Sequence, residues 1–300
     1  MTDITLLDGS IGQEILNRSG DRPTPLWSTR VMIDHPGIVT EVHKDYFNAG
    51  ATIATTNSYA IHRDRMNLDG AGLDDQFENL VDLAISESEA ARAAHSSGRI
   101  AASIGPLGAS YRADACPPAD QAAPLIAELV SLMDARVDLF LIETTCSVDQ
   151  ARGALMGCAN ATKPVWLSLT VSDDDGTRLR SGEPLADIPP LIEQFKPQAI
   201  LLNCSRPEAI SQGLPLLKPM GLPFGAYANG FTHITDGFLK AAPTVDALEK
   251  RRDLDPSGYA DFAMSWVDQG ATIVGGCCEV GPDHIIELAN RLRAAGHIIV

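Results

Sequence analysis

The sequence runs to 300 residues, 45% of them hydrophobic and 21% charged, a composition that supports a large apolar core and excludes a disordered or fibrous chain. An excess of 39 acidic over 23 basic residues gives a formal net charge of -16, which repels phosphate backbones and anionic lipid headgroups, so nucleic acid and membrane surfaces are excluded as expected partners. The N-terminus lacks the basic start and apolar run of a signal peptide, and no stretch reaches about 18 continuous apolar residues. The reading is a cytoplasmic protein. Its six cysteines are too few for a disulfide scaffold, and the adjacent pair Cys277-Cys278 is poorly placed for an ordinary disulfide, so the thiols read as metal ligands or redox groups.

In chain order, short runs rich in Ile, Val, Leu and Ala fall at 5–8, 51–56, 99–104, 138–143, 164–170, 198–203, 223–228 and 271–275. They read as buried parallel strands. Amphipathic helices are predicted at 37–49, 76–96, 123–135, 148–162, 188–195, 207–217, 259–269 and 282–294. Gly50 and Gly270 each close a helix and lead directly into a strand, one sign of repeated βα units. Eight is the strand number of the (β/α)8 barrel, which typically takes about 250 residues plus insertions. Residues 1–300 are therefore expected to form one α/β TIM-barrel domain. Two polar segments, 16–36 and 230–258, are too long for simple connections; the second carries Lys240, Lys250, Arg251 and Arg252. Both are expected as loops shaping the barrel mouth.

Catalytic residues of such barrels stand at the C-terminal ends of the strands. Here those ends carry Asp8-Gly9-Ser10, Thr55-Thr56-Asn57, Ser103, Glu143-Thr144, Ser168, Asn203-Cys204, Tyr227-Ala228-Asn229 and Gly275-Gly276-Cys277-Cys278. Packing alone does not explain apolar strands that end in acids, amides and thiols. Cys204 follows the sixth strand and Cys277-Cys278 the eighth, so a closed barrel brings three sulfurs to one rim. Three thiolates suit zinc and leave one tetrahedral position open, the pattern of a catalytic metal site.

Several of these phrases occur together in a known family. Asp8-Gly9-Ser10-Ile11-Gly12-Gln13-Glu14, residues 45–59 (DYFNAGATIATTNSY), Ile104-Gly105-Pro106, Ile142-Glu143-Thr144, Asn203-Cys204, and Gly275-Gly276-Cys277-Cys278 followed by Pro282 and His284-Ile285 resemble the zinc-dependent homocysteine S-methyltransferases. The resemblance implies that Cys204, Cys277 and Cys278 are the ligands of a catalytic Zn2+. It implies that Asp8, Gly9, Glu143 and Thr144 help hold the homocysteine head group, with the two acids suited to its ammonium; Asn203 and Asn229 are added as rim candidates for substrate contact. The implied reaction passes a methyl group from a cationic donor, S-methylmethionine first, to the homocysteine thiolate, giving methionine without a catalytic histidine. Betaine, S-adenosylmethionine or a separate methyl-corrinoid protein are the alternative donors. A cationic methyl donor is attracted to aromatic faces, which makes Tyr59 the first candidate contact, with Trp27 and Tyr227 behind it.

Cys146, three residues past Glu143 and near the same rim, is a minor alternative ligand, set aside because three better-placed cysteines already satisfy an open zinc site; Cys116 and Cys158 read as inert small hydrophobes, and His233 and His284 as ordinary satisfied side chains. Gly105-Pro106-Leu107-Gly108 lacks the lysine and spacing of a phosphate loop, and Asp173-Asp174-Asp175-Gly176 lacks the ligand spacing of a calcium loop, so it reads as a solvated turn. The rival readings are a zinc hydrolase and a zinc- or thiol-storage protein. Nothing in the sequence sets the oligomeric state.

Overall fold

Alternating apolar runs and helical segments resolve into a nine-stranded parallel sheet, among the residues that the computed structural model describes: 1–24, 26–66, 72–235, 237–239 and 247–300. In chain order the elements are β1 (Asp3–Leu6), α1 (Ile11–Ser19), α2 (Trp27–Asp34), α3 (Ile38–Ala49), β2 (Ile53–Thr55), α4 (Phe77–His95), β3 (Arg99–Ile104), α5 (Ala119–Met133), β4 (Leu139–Thr145) and α6 (Val148–Gly157). They continue with β5 (Val165–Leu169), α7 (Pro189–Phe195), β6 (Ala199–Asn203), α8 (Pro207–Gly213), β7 (Phe224–Tyr227), α9 (Pro256–Asp268), β8 (Ile273–Val274), α10 (Pro282–Ala294) and β9 (Ile298–Ile299). Strands β2 to β8 neighbour one another in sequence order and β8 lies beside β1. A parallel bridge from Leu7 to Ile53, with Thr52 N donating to Leu6 O at 2.8 Å, brings β1 to β2 and closes the ring. The chain is a single-domain TIM barrel.

Side-chain alternation along the strands sorts two cores. One row (Leu7, Ile53, Ala101, Leu139, Leu141, Ala199, Leu201, Tyr227, Ile273) fills the barrel interior, as close packing of a small barrel requires. The alternate row (Leu6, Ile100, Ala102, Phe140, Ile142, Ile200, Leu202) packs outward against the helices. Continuing the inward rows by one step reaches Ser103 after Ala101, Glu143 after Leu141, and Asn203 after Leu201. Polar groups thus stand on the barrel axis at the C-terminal rim because the period of a strand is two.

Two predicted boundaries are corrected. Segment 16–36 is not all loop: its first residues complete α1 (Ile11–Ser19), which was not predicted, and Trp27–Asp34 form α2, which buries Val31 and Met32. Eight residues hold too few turns for a recognisable apolar stripe. Segment 230–258 is shorter than predicted, because Asp255 caps α9 by accepting from Gly258 N at 2.8 Å and the helix begins at Pro256. Its described part folds back on itself, with Thr232 N donating to Glu249 O and Arg251 N to Gly230 O; Lys240 lies outside the described residues. Strand β9 was not predicted and consists of two residues beside Asp3 and Ile4. Among the described residues no helix is long and apolar enough to cross a membrane.

Candidate active site

The cavity at the C-terminal rim, about 360 Å3, is lined by Asp8, Gly9, Tyr59, Glu143, Thr144, Cys204, Cys277 and Cys278 among the predicted residues, and also by Trp27 and Tyr227. Asp8 is buried, and its carboxylate accepts from Thr55 N at 2.6 Å and Thr55 Oγ1 at 2.9 Å. Glu143 accepts from Ser103 Oγ and from Tyr227 Oη, the latter at 2.9 Å. Burial pushes both carboxyls up, Asp8 well above its ordinary range; the neighbouring Glu143 charge adds to the effect on Asp8, and hydrogen bonds to both acids oppose it. Neither forms a salt bridge among the described residues. Buried Asp8 and partly buried Glu143, with no cation paired to either among the described residues, make this floor complementary to an ammonium group.

Thr144 and Cys204 both adopt left-handed backbone, with φ of 57° and 46°. For a β-branched residue this is strained. Asn203 holds it in place: Thr144 N donates to Asn203 Oδ1 at 3.0 Å, and Asn203 Nδ2 donates to Thr144 Oγ1 at 3.2 Å. Asn203 is thus an inward-facing, fully buried support of Thr144 and does not itself line the cavity. Asn229 likewise does not line the cavity; its Oδ1 accepts from Phe231 N at 3.2 Å and shapes the loop after β7.

The three sulfurs of Cys204, Cys277 and Cys278 lie within 4.8 Å of one another. Backbone bonds place them: Cys204 N donates to Tyr227 O, Cys277 N to Ala228 O and Gly276 N to Asp8 O. Gly9 permits the close approach of the loops after β1 and β8, since a Cβ there would sit 2.1 Å from Val280 O. Gln13 supports the same loop by accepting from Glu279 N at 2.7 Å. Cys204 and Cys277 are joined as a disulfide with Cα atoms 5.7 Å apart, and Cys278 is a free thiol that burial pushes up to about 12. Cys277-Cys278 is not the disulfide pair. Three thiolates at about 2.3 Å from one tetrahedral zinc stand about 3.8 Å apart. The three-thiol donor set, gathered within 4.8 Å, fits a zinc site by its ligand chemistry.

Residues that sequence reasoning missed complete the mouth. Tyr111, Phe231 and Ile234 form an apolar cluster with Cys204, against which Phe238, Leu248, Cys277 and Cys278 pack. Asp173 is no solvated turn residue: its side chain is 9% exposed, pairs with Arg180 at 2.8 Å and accepts from Ile234 N at 3.0 Å. Arg180 also lies over the Tyr111 ring, 4.8 Å from its centroid. The signal was an Asp and an Arg seven residues apart in one βα loop, which becomes legible only once that loop is known to fold over the rim. Trp27 meets Tyr59 edge to face, with centroids 6.0 Å apart, and Tyr59 Oη bonds Ser110 Oγ at 2.8 Å.

The homocysteine S-methyltransferase profile matches residues 5–292. The chain belongs to the homocysteine S-methyltransferase family. A homocysteine S-methyltransferase of Escherichia coli (strain K12) is 30% identical over 96% of this chain and 95% of its own. Homocysteine S-methyltransferase YbgG of Bacillus subtilis (strain 168) is 27% identical over 97% and 95%. The crystal structure of the metallated homocysteine methyltransferase MmuM from Escherichia coli superposes with a TM-score of 0.79 at 27% identity, covering 97% of this chain and 96% of that one. Membership makes the chain a methyl-transferring enzyme with small-molecule substrates, and the three-cysteine cluster fits the zinc on which this family depends. In this family member Cys146 and Cys158 are buried thiols pushed up to about 12, in keeping with inert packing. His284 is satisfied, with Nδ1 accepting from Gly281 N and Nε2 donating to Leu254 O.

Proposed function

We propose that this enzyme moves a methyl group from S-methylmethionine to homocysteine, and that residues 1–300 act as one homocysteine-binding barrel. The observation that carries the proposal is the juxtaposition, in one cavity, of three sulfurs within 4.8 Å and two carboxyls, Asp8 and Glu143, that no cation among the described residues pairs. Cys204, Cys277 and Cys278 would hold a zinc ion, whose chemistry when bound is to favour the thiolate form of a fourth sulfur ligand. Asp8 and Glu143 bind the homocysteine ammonium, and Thr144, held by Asn203, shapes the seat beside them. Trp27 and Tyr59 offer aromatic surface to the donor's sulfonium, and the apolar cluster around Tyr111 and Phe231 excludes water from the transfer. The sulfonium S–CH3 bond breaks as the acceptor S–CH3 bond forms, so the donor leaves as a neutral thioether and both products are methionine. A thiolate site suits a reducing compartment, which places the enzyme in the cytoplasm.

The test is methionine formation by reduced, zinc-loaded protein from homocysteine and each donor in turn. We expect S-methylmethionine to exceed betaine, S-adenosylmethionine and a methylated corrinoid protein. A higher rate with any of these three replaces the donor assignment, and no methionine from any donor overturns methyl transfer itself.

A further inference from the structure

The same cavity contains a cation that neither the zinc cluster nor the homocysteine seat uses. Arg65 lies in the loop after β2 that also carries Tyr59, and it is 9% exposed. Its Nη2 donates to Pro106 O at 2.6 Å, while Nε is buried without a partner. No carboxylate among the described residues pairs with it. Its chain neighbour Asp64 is exposed and accepts from Gly108 N at 2.5 Å, and the cavity's other arginine, Arg112, is paired with Asp114. Buried guanidinium groups are almost always paired, because taking the charge out of water costs several kcal/mol unless an anion offsets it. An unpaired one in a ligand cavity is complementary to a carboxylate, which it can grip through two parallel N–H bonds.

We infer that Arg65 binds the carboxylate of the methyl donor, and so selects an amino-acid-type or betaine-type zwitterion over a simple sulfonium or ammonium. The inference rests on the methyltransferase reading above. The cavity is polarised to match: unpaired carboxyls, Asp8 and Glu143, stand at the strand ends beside the cysteines, and the unpaired guanidinium stands on the loop that supplies an aromatic wall. Tyr59, Arg65 and Cys278 line the same cavity, so a donor seated on the Tyr59 ring can place a carboxylate at Arg65 and a methyl group toward the sulfurs. A donor so held is fixed at both ends, which is the positioning that an in-line transfer needs.

The deciding comparison is S-methylmethionine against its carboxamide, which is nearly isosteric but loses the negative charge and exchanges one acceptor oxygen for an NH2 donor. For the wild type we expect kcat/KM to favour the carboxylate by roughly 10- to 100-fold, the range for a charge-assisted hydrogen bond. In Arg65→Gln that preference should fall to about one, while the preference for homocysteine over homocysteine carboxamide persists. Arg65→Lys, keeping the charge without the fork, should retain part of it. A wild type indifferent to the carboxamide overturns the inference without any variant. So does an Arg65→Gln protein whose loss is equal for both donors, the mark of a structural arginine, or whose loss falls on the acceptor pair. If no donor yields methionine, the methyltransferase reading fails separately, and calorimetric binding of the two compounds to wild type still reports whether the carboxylate is captured.

Discussion

Asn203 illustrates how much rests on one buried amide. Its two hydrogen bonds hold Thr144 in left-handed backbone next to Glu143, so Asn203→Ala should cost about 1–3 kcal/mol in stability by urea unfolding. It should also weaken homocysteine binding in calorimetry while leaving zinc content near one per chain; unchanged affinity would show that Thr144 needs no such support. The acids make a second prediction. Burial raises the Asp8 and Glu143 carboxyls, so the free protein holds their protons to higher pH than the unfolded chain does. Their contribution to stability is present below the unfolded carboxyl range, near pH 4, and is lost as pH rises through the raised values. An ammonium ligand reverses the shift and expels protons. Methionine, which has no thiol proton to lose, should therefore release protons on binding, seen as a dependence of binding heat on buffer ionisation enthalpy. The release should shrink in Glu143→Gln.

Between elements, the loops after β3, β5 and β7 are tied by Asp173 and Arg180. Arg180→Ala leaves the Asp173 carboxylate buried among backbone donors without its cation, at a cost of about 3 kcal/mol, and frees Tyr111 and Ile234. The melting temperature should fall and KM should rise for the donor; a normal KM in a folded variant would show that this tie only stabilises the fold. The helices were legible in the sequence because their apolar stripes are long, as in α10, predicted at its observed bounds. Helices α1 and α2 and strand β9 were not, because nine, eight and two residues carry too little periodicity to distinguish them from loop.

At the scale of the whole molecule, ring closure between β1 and β2 sets Asp8 beside Thr55, and the β8–β1 contact sets Gly276, the residue before Cys277, against Asp8 and Gly9. Zinc competence depends on the redox state of the cluster that closure assembles. Reduced protein should bind about one zinc per chain, and oxidation to the Cys204–Cys277 disulfide should release it, removing two of the three ligands. Metal analysis before and after a mild oxidant, with reduction to restore binding, checks this. Retained metal after quantitative disulfide formation would exclude these two sulfurs as ligands.

The sequence by itself determined the eight barrel strands, the alternation that brings acids and thiols to the strand ends, and the grouping of Cys204, Cys277 and Cys278. These follow from local periodicity and from where strands stop. Only the tertiary structure decided which rim residues line the cavity and which do not. Asn203 and Asn229 stand outside the cavity lining, Asp173 moved from solvent to a buried pair, and Arg65 emerged as a buried cation with no carboxylate partner among the described residues. A side chain's partner is fixed by loops that meet across the barrel from distant parts of the chain, and no periodicity in the sequence records that meeting.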